Sequence, residues 1–303
     1  MREQHEAATQ TGFDPASISI SKMIRALERE EFVLYYQPQL SVRTGKVRGA
    51  EALIRWRHPR HGLISAAQFL PALHDVRFAR RVGEWAVLRA RQDIERWRRA
   101  GLAIVPVSIN IHPEHLAKRG FATEFLSISE GQIDIEIIET ALHRGGDVLP
   151  AVSALREAGV RVALDDFGVG YSSFLRLAEL PIDILKVDKL FISALTRPRT
   201  EAHLVRLRRI LSAVVALAHL CHITTVAEGV ETQADLAAVR DLGFDQSQGY
   251  LHSPAVGPAE FRKFLQPAIS DESSDKIPRV NARSEPFRDK IEAGVRCTPS
   301  SRE

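Results

Sequence analysis

The chain has 303 residues, 45% hydrophobic and 26% charged, an ordinary balance for a globular protein. Its 41 Lys and Arg against 38 Asp and Glu leave a net charge of +3, too near balance to predict nucleic acid as a partner. Two cysteines, Cys221 and Cys297, exclude a disulfide framework, and no apolar run reaches membrane-spanning length, so a cytoplasmic protein with no membrane partner is expected.

Residues 1–18 are polar and unpatterned, which predicts a disordered N-terminus. SKMIRALEREE then gives a short helical pattern. The ordered unit is expected over 19–267, and the polar stretch 268–303 is expected to be a disordered tail. Between these limits short β-rich runs alternate with longer helical patterns. The strand candidates are FVLYYQ (32–37), EALIRW (51–56), IVPVSIN (104–110), IDIEII (133–138), VRVALD (160–165), DILKVD (183–188), ITTVAE (223–228) and FDQSQGY (244–250). Several are continuous apolar runs, as strands covered on both faces are. VGEWAVLRARQDIERWRRAG ends at Gly101 and LPAVSALREAG at Gly159, and a glycine just past a helix is the expected stop. Eight strands with intervening helices predict an α/β fold, a (βα)8 TIM-like barrel. Only a short turn, SVRTGKVRG, lies around the junction of the first two runs. So short a connection joins antiparallel strands, because a parallel crossover needs about a dozen residues. One antiparallel strand near the N-terminus is therefore predicted.

A glutamate opens the second of these runs. Glutamate is rarely buried unless it is paired or ligates a metal. Glu51 is thus a solvated strand end, a partner of Arg55 or Arg57, or a ligand, and its neighbours in sequence do not choose. The other strands bear on the choice. Strand three ends at Asn110, strand four carries Glu136, strand five Asp165 and Asp166, strand six Lys186 and Asp188, strand seven Glu228 and strand eight Gln248. Each falls at or near the C-terminal end of its run, and in a barrel those ends converge on one mouth. Carboxylates gathered there raise one another's pKa values, and divalent cations are the economical compensation. Oxygen donors without histidine or cysteine suit Mg2+, Mn2+ or Ca2+. The adjacent Asp165 and Asp166 would let one carboxylate bridge two cations, a device for in-line displacement at phosphorus. On this reading Glu51 is a metal ligand.

These residues sit within a series of motifs: YYQP (35–38), EALIRWRHP (51–59), SIN (108–110), EIIE (136–139), DDFGVGYSS (165–173), LPIDILKVD (180–188), VAEGVE (226–231) and QGY (248–250). In that order and spacing the series resembles the EAL domain, the bacterial cyclic di-GMP phosphodiesterase family, over about residues 20 to 265. The resemblance implies hydrolysis of cyclic di-GMP to linear pGpG with two divalent cations, Mg2+ or Mn2+. It implies Glu51, Asn110, Glu136 and Asp165 as ligands of the first cation, and Asp165, Asp166 and Glu228 as ligands of the second. Lys186 would position the attacking water and offset negative charge, and Gln248 would orient water or substrate. Glu51, Asp166, Lys186 and Glu228 make up the implied catalytic set. Gln37, Leu53, Arg55 and Gln248 make up the implied substrate-binding set, with Arg55 gripping a phosphate oxygen. The DDFGVGYSS loop, with Ser172 and Ser173, would tie the metal site to a dimer interface and be braced by Glu139. Asp188 and Glu231 would stand behind the ligands. The implied partners are the cyclic dinucleotide, a second copy of the chain and a regulatory protein acting in trans.

The chain departs from the family pattern at Ile138 and Val169, where threonines are usual, at His112 in place of serine and at His74 in place of glutamate. HSPAVGP also lacks the basic residue often found near QGY. Ile138 and Val169 touch the loop, so the second reading is a domain that binds cyclic di-GMP or a protein partner without turnover. A third, an aldolase- or enolase-like barrel, leaves Arg55 and Gln37 unused. Other features read as structure. DFG at 166–168 has none of the companion motifs of a kinase. His112 and His115 in HPEH have no evident partners for zinc. The arginines of 81–99 lie largely opposite an apolar stripe of Val82, Ala86, Ala90 and Trp97, as on a solvated barrel helix, and Trp85 and Trp97 are expected to pack on the barrel.

Overall fold

The computed structural model describes residues 19–69, 75–129, 132–139, 147–168 and 180–267. Among these described residues nine strands run in chain order: β1 Phe32–Ser41, β2 Val47–His58, β3 Gly62–Ser65, β4 Val107–Asn110, β5 Ile133–Ile138, β6 Val162–Phe167, β7 Ile184–Val187, β8 Thr224–Ala227 and β9 Gln246–Ser247. They pair in the order β1-β9-β8-β7-β6-β5-β4-β2, and β2 returns to β1, which closes an eight-stranded barrel. β1 runs antiparallel to both its neighbours, and the other pairs around the ring are parallel. The expected fold and its one reversed strand are both present. The C-terminal ends of β2 and β4–β9 therefore open on one mouth, and β1 begins there.

The strand boundaries differ from expectation where local chemistry intervenes. β4 starts at Val107 rather than Ile104, just after Pro106, which has no N–H to give a ladder. β9 has two residues, not seven. β3 was not expected. It folds back antiparallel on the last four residues of β2, with Gly62 taking the left-handed conformation at the turn, φ 70°.

Alternation within the strands sorts side chains between the barrel and its jacket. On β5, Ile133, Ile135 and Ile137 pack with Ile94, Trp97, Phe125 and Leu155 of the surrounding helices. Glu136 points the other way. Each such buried aliphatic contributes roughly 1.5–3 kcal/mol, so the register of β5 is strongly held. The arginine-rich helix spans Val76–Arg99, longer at its start than the sequence pattern, because Asp75 caps it by accepting from the amides of Arg77 and Phe78. Its expected stripe is buried, and Arg81, Arg98 and Arg99 are exposed. Trp97 packs edge-on against Tyr36 and donates to the Pro258 carbonyl. Among the described residues no helix is long and apolar enough to cross a membrane.

Candidate active site

The site is built at the mouth, where inward-facing positions of successive strands line up. Gln37 on β1 lies opposite Glu51 on β2, and Glu51 in turn pairs with Ser108 on β4. Asn110 pairs with Glu136, and Ile138 with Asp165. Closure of the ring brings β7 and β8 to the same pocket. Lys186 of β7 is at its centre, its side chain only 1% exposed. Its Nζ lies 2.7 Å from Glu136, 2.7 Å from Glu228, 3.0 Å from Asp165 and 3.2 Å from Glu51.

One ammonium does not balance these carboxylates. Burial, with Glu51 and Asp165 nearby, pushes the Glu136 carboxyl up to about 8. Burial and the Asp165 charge raise Glu228 well above the ordinary carboxylate range. Burial, then Asp165 and Asp188, raise Asp166 to about 6. Burial also pushes Asp165 up, aided by Glu51. Glu51 goes the other way: burial favours its neutral form, but Lys186 and the Gln248 and Asn110 amides overcome that and hold its pKa down. Burial alone would lower the Lys186 pKa, and the four carboxylates instead raise it well above the lysine range.

This excess negative charge is what a divalent cation would offset. Glu51, Glu136 and Asp165 offer oxygens within 4.8 Å of one another, and so do Asp165, Asp166 and Glu228. Asp165 belongs to both groups. The donors are carboxylate oxygens, the chemistry that suits Mg2+, Mn2+ or Ca2+. Asn110 gives its Nδ2 to Glu51 Oε1 at 2.9 Å, which turns its amide oxygen free for a cation. Asp166 reaches its place through a left-handed backbone, φ 56°, unusual outside glycine.

The remaining expected residues are placed as follows. Gln248 donates to Glu51 Oε2 at 2.7 Å and to Gln37 Oε1 at 3.0 Å. Arg55 and Leu53 are half-buried on β2, two and one strand repeats beyond Glu51 toward the rim. The Arg55 guanidinium stands 6.0 Å from the Tyr35 ring centre, and burial lowers its pKa. Glu139 is buried and accepts from the Gly168 amide at 3.2 Å. Asp188 caps the helix Lys189–Thr196 by accepting from the Leu190 amide. Glu231 is exposed, and its backbone amide donates to Asp235. Ser172, Ser173, Val169 and His74 lie outside the described residues. His112 caps the short helix Pro113–Leu116, and His115 packs edge-on against Phe121. Neither joins a group of candidate metal ligands among the described residues.

Ser108 is a residue the sequence reading missed. Its hydroxyl donates to Glu136 in a short hydrogen bond and also approaches the Ala50 carbonyl. The signal was present, since Ser108 is two residues before Asn110 and so shares its face of β4.

The model for the EAL domain matches residues 21–255. The chain is 36% identical over 234 residues to the bifunctional diguanylate cyclase/cyclic di-GMP phosphodiesterase MucR of Pseudomonas aeruginosa, covering 75% of this chain and 33% of that protein. It is 33% identical over 249 residues to the cyclic di-GMP phosphodiesterase NbdA of the same organism, covering 80% and 31%. Among solved structures, a MucR phosphodiesterase–c-di-GMP complex superposes with TM-score 0.71 at 34% identity, covering 80% of this chain and 100% of that one. The EAL enzyme Bd1971 bound to cAMP and cyclic di-GMP gives 0.74 at 26% identity, covering 88% and 72%. The chain spans about a third of the length of these curated relatives.

Proposed function

The chain belongs to the EAL-domain family, and we propose that its barrel mouth hydrolyses cyclic di-GMP to linear pGpG with two divalent cations, Mg2+ or Mn2+. The observation that carries this is Lys186 enclosed by Glu51, Glu136, Asp165 and Glu228 at 2.7–3.2 Å, with Asp166 beside them. Glu51, Asn110, Glu136 and Asp165 would hold one cation, and Asp165, Asp166 and Glu228 the other. Bound there, the cations would acidify a water and polarise the phosphoryl oxygens. Lys186 offsets part of the negative charge of the carboxylates around it and would help position the attacking water. Arg55 faces the rim with a fork that fits a non-bridging phosphate oxygen. Gln37 and Leu53 line the approach, and Gln248 fixes the orientation of Glu51. In the overall step a water oxygen bonds to phosphorus as one P–O3′ bond breaks; one water proton ends on the released O3′ as its hydroxyl, and the other leaves the new 5′-phosphate for solvent. The unit that does this is 19–267, cytoplasmic and acting as a homodimer, under a regulatory protein partner.

The test is incubation of purified protein with cyclic di-GMP and Mg2+ or Mn2+, with and without EDTA, following pGpG by chromatography. Metal-dependent pGpG is expected. Tight binding without product under either metal would make the chain a receptor on this fold. Absence of both binding and product would refute the reading.

A further inference from the structure

We propose that Gln39 is a positioning residue for this site, acting through the Gln248 amide, and that residue 49 is glycine to leave room for it. Gln39 lies on β1 two residues beyond Gln37, so both face the barrel interior, Gln39 one layer deeper. Its Nε2 donates to Gln248 Oε1 at 3.0 Å. Gln248 spends both its amide protons above, on Glu51 Oε2 at 2.7 Å and Gln37 Oε1 at 3.0 Å. Gln37 passes its own Nε2 proton to the Ser253 carbonyl at 3.0 Å. The chain of amides therefore has one direction. A carboxylate only accepts, so the Gln248 nitrogen must face Glu51 and its oxygen must face away. Were Gln248 turned over, its oxygen would meet the Glu51 carboxylate and its NH2 would meet the NH2 of Gln39. Gln39 thus supplies the donor that the inward-facing Gln248 oxygen needs in the productive orientation. Gln39 is 6% exposed and Gln248 4%, so solvent does not readily replace that donor.

Gly49 is the cross-strand partner of Gln39. A Cβ at position 49 would stand 2.8 Å from Gln39 Oε1 and 3.5 Å from the Pro106 carbonyl. Gly49 does not take the left-handed conformation, so its backbone suits alanine. What a side chain there would disturb is the free end of Gln39.

The activity arm of the test rests on the hydrolytic reading, and the spectroscopic arm does not. Gln39→Met, Gly49→Ala and the double variant are made in the full chain. The Gln248 side-chain NH2 signals are followed in 1H–15N spectra, alongside cyclic di-GMP hydrolysis with Mn2+. Gln39→Met is expected to move the Gln248 signals, speed their hydrogen exchange and lower kcat roughly tenfold, the size of one hydrogen bond lost at a reacting centre. KM is expected to stay within about twofold, because Gln39 lies one layer below Gln37 and the other residues assigned to the substrate. Gly49→Ala is expected to act in the same direction, and the double variant to be no worse than Gln39→Met, since Gly49 acts through Gln39. Unmoved Gln248 signals in the variants, or losses that add fully in the double, would overturn the inference. If Gln39→Met does not fold, the Gly49→Ala spectrum decides. If the unmodified protein makes no pGpG, the hydrolytic reading fails, and the spectra still decide the role of Gln39.

Discussion

Replacing Lys186 by methionine in cation-free protein would leave Glu51, Glu136, Asp165 and Glu228 facing one another with no counter-charge. All four now lie 2.7–3.2 Å from its Nζ. Removing one partner of a buried ion pair costs about 3–5 kcal/mol. In a domain of about 250 residues each kcal/mol moves the melting temperature by about 2–4 °C, so a drop of roughly 6–20 °C is expected. The deficit depends on pH with a definite sign. The Glu136 carboxyl lies at about 8 with Lys186 holding it down, so without the lysine it takes up a proton at still higher pH, and the repulsion shrinks as pH falls. The variant is therefore expected to lose more stability at pH 8.5 than at pH 6. Mg2+ or Mn2+ should recover part of the loss, because the cations neutralise the same carboxylates. Differential scanning fluorimetry in EDTA and in each metal measures all three. Equal melting temperatures of the two proteins in EDTA at pH 8.5 would show that Lys186 does not hold the cluster together.

Glu51→Ala is expected to abolish pGpG formation and weaken Mn2+ binding by calorimetry. Full activity in that variant would remove Glu51 from the ligand set. Gly249→Ala would place a Cβ 2.2 Å from the Val230 carbonyl oxygen and 2.4 Å from its nitrogen. Both are backbone atoms, so the loop carrying Gln248 must shift, at a cost of about 1–3 kcal/mol or more, read as a lower melting temperature together with lower turnover. An unchanged melt would mean that this close approach is not needed. His115 supplies an acid-dependent term. It is buried, and burial pushes its pKa down to about 4. An unfolded histidine titrates near 6.5, so between those values the unfolded chain holds more protons and stability falls as pH falls. About 2 kcal/mol is expected to disappear between pH 7 and pH 5 in urea melts, and His115→Leu should remove that slope. Equal slopes in both proteins would place the acid sensitivity elsewhere.

Some of this was legible in the sequence for simple reasons. IDIEII alternates, so a glutamate in an isoleucine strand had to face a polar interior. The brevity of the turn between β1 and β2 required an antiparallel pair, and the structure has one. Other parts needed the closed ring. Lys186 is visible in the sequence, but its reach to carboxylates on β2, β5 and β6 and to Glu228 just past β8 depends on ring closure. Ser108 shares the inward face of Asn110, but its pairing with Glu51 and its hydrogen bond to Glu136 needed the register of the sheet. β3 is GLIS, four residues with no period to read, and it forms because β2 is already there to pair with. Glu228 and Glu231 look alike in VAEGVE. β8 ends at Ala227, however, and Gly229 turns the chain at φ 65°, so the second glutamate emerges on the surface.

The reversal of β1 also decides which side of the barrel the chain enters from. In an all-parallel barrel the first strand starts at the floor and delivers its last residues to the mouth. Here Phe32 pairs with Trp56 near the rim, the Glu31 carboxylate accepts from the Trp56 indole, and the helix Ile20–Glu28 packs with both aromatic rings. Any segment joined ahead of Ile20 is therefore tethered beside the opening rather than beneath it. Tension or rotation applied to that segment has only four residues of strand to traverse between Phe32 and Gln37, with no domain-wide rearrangement required.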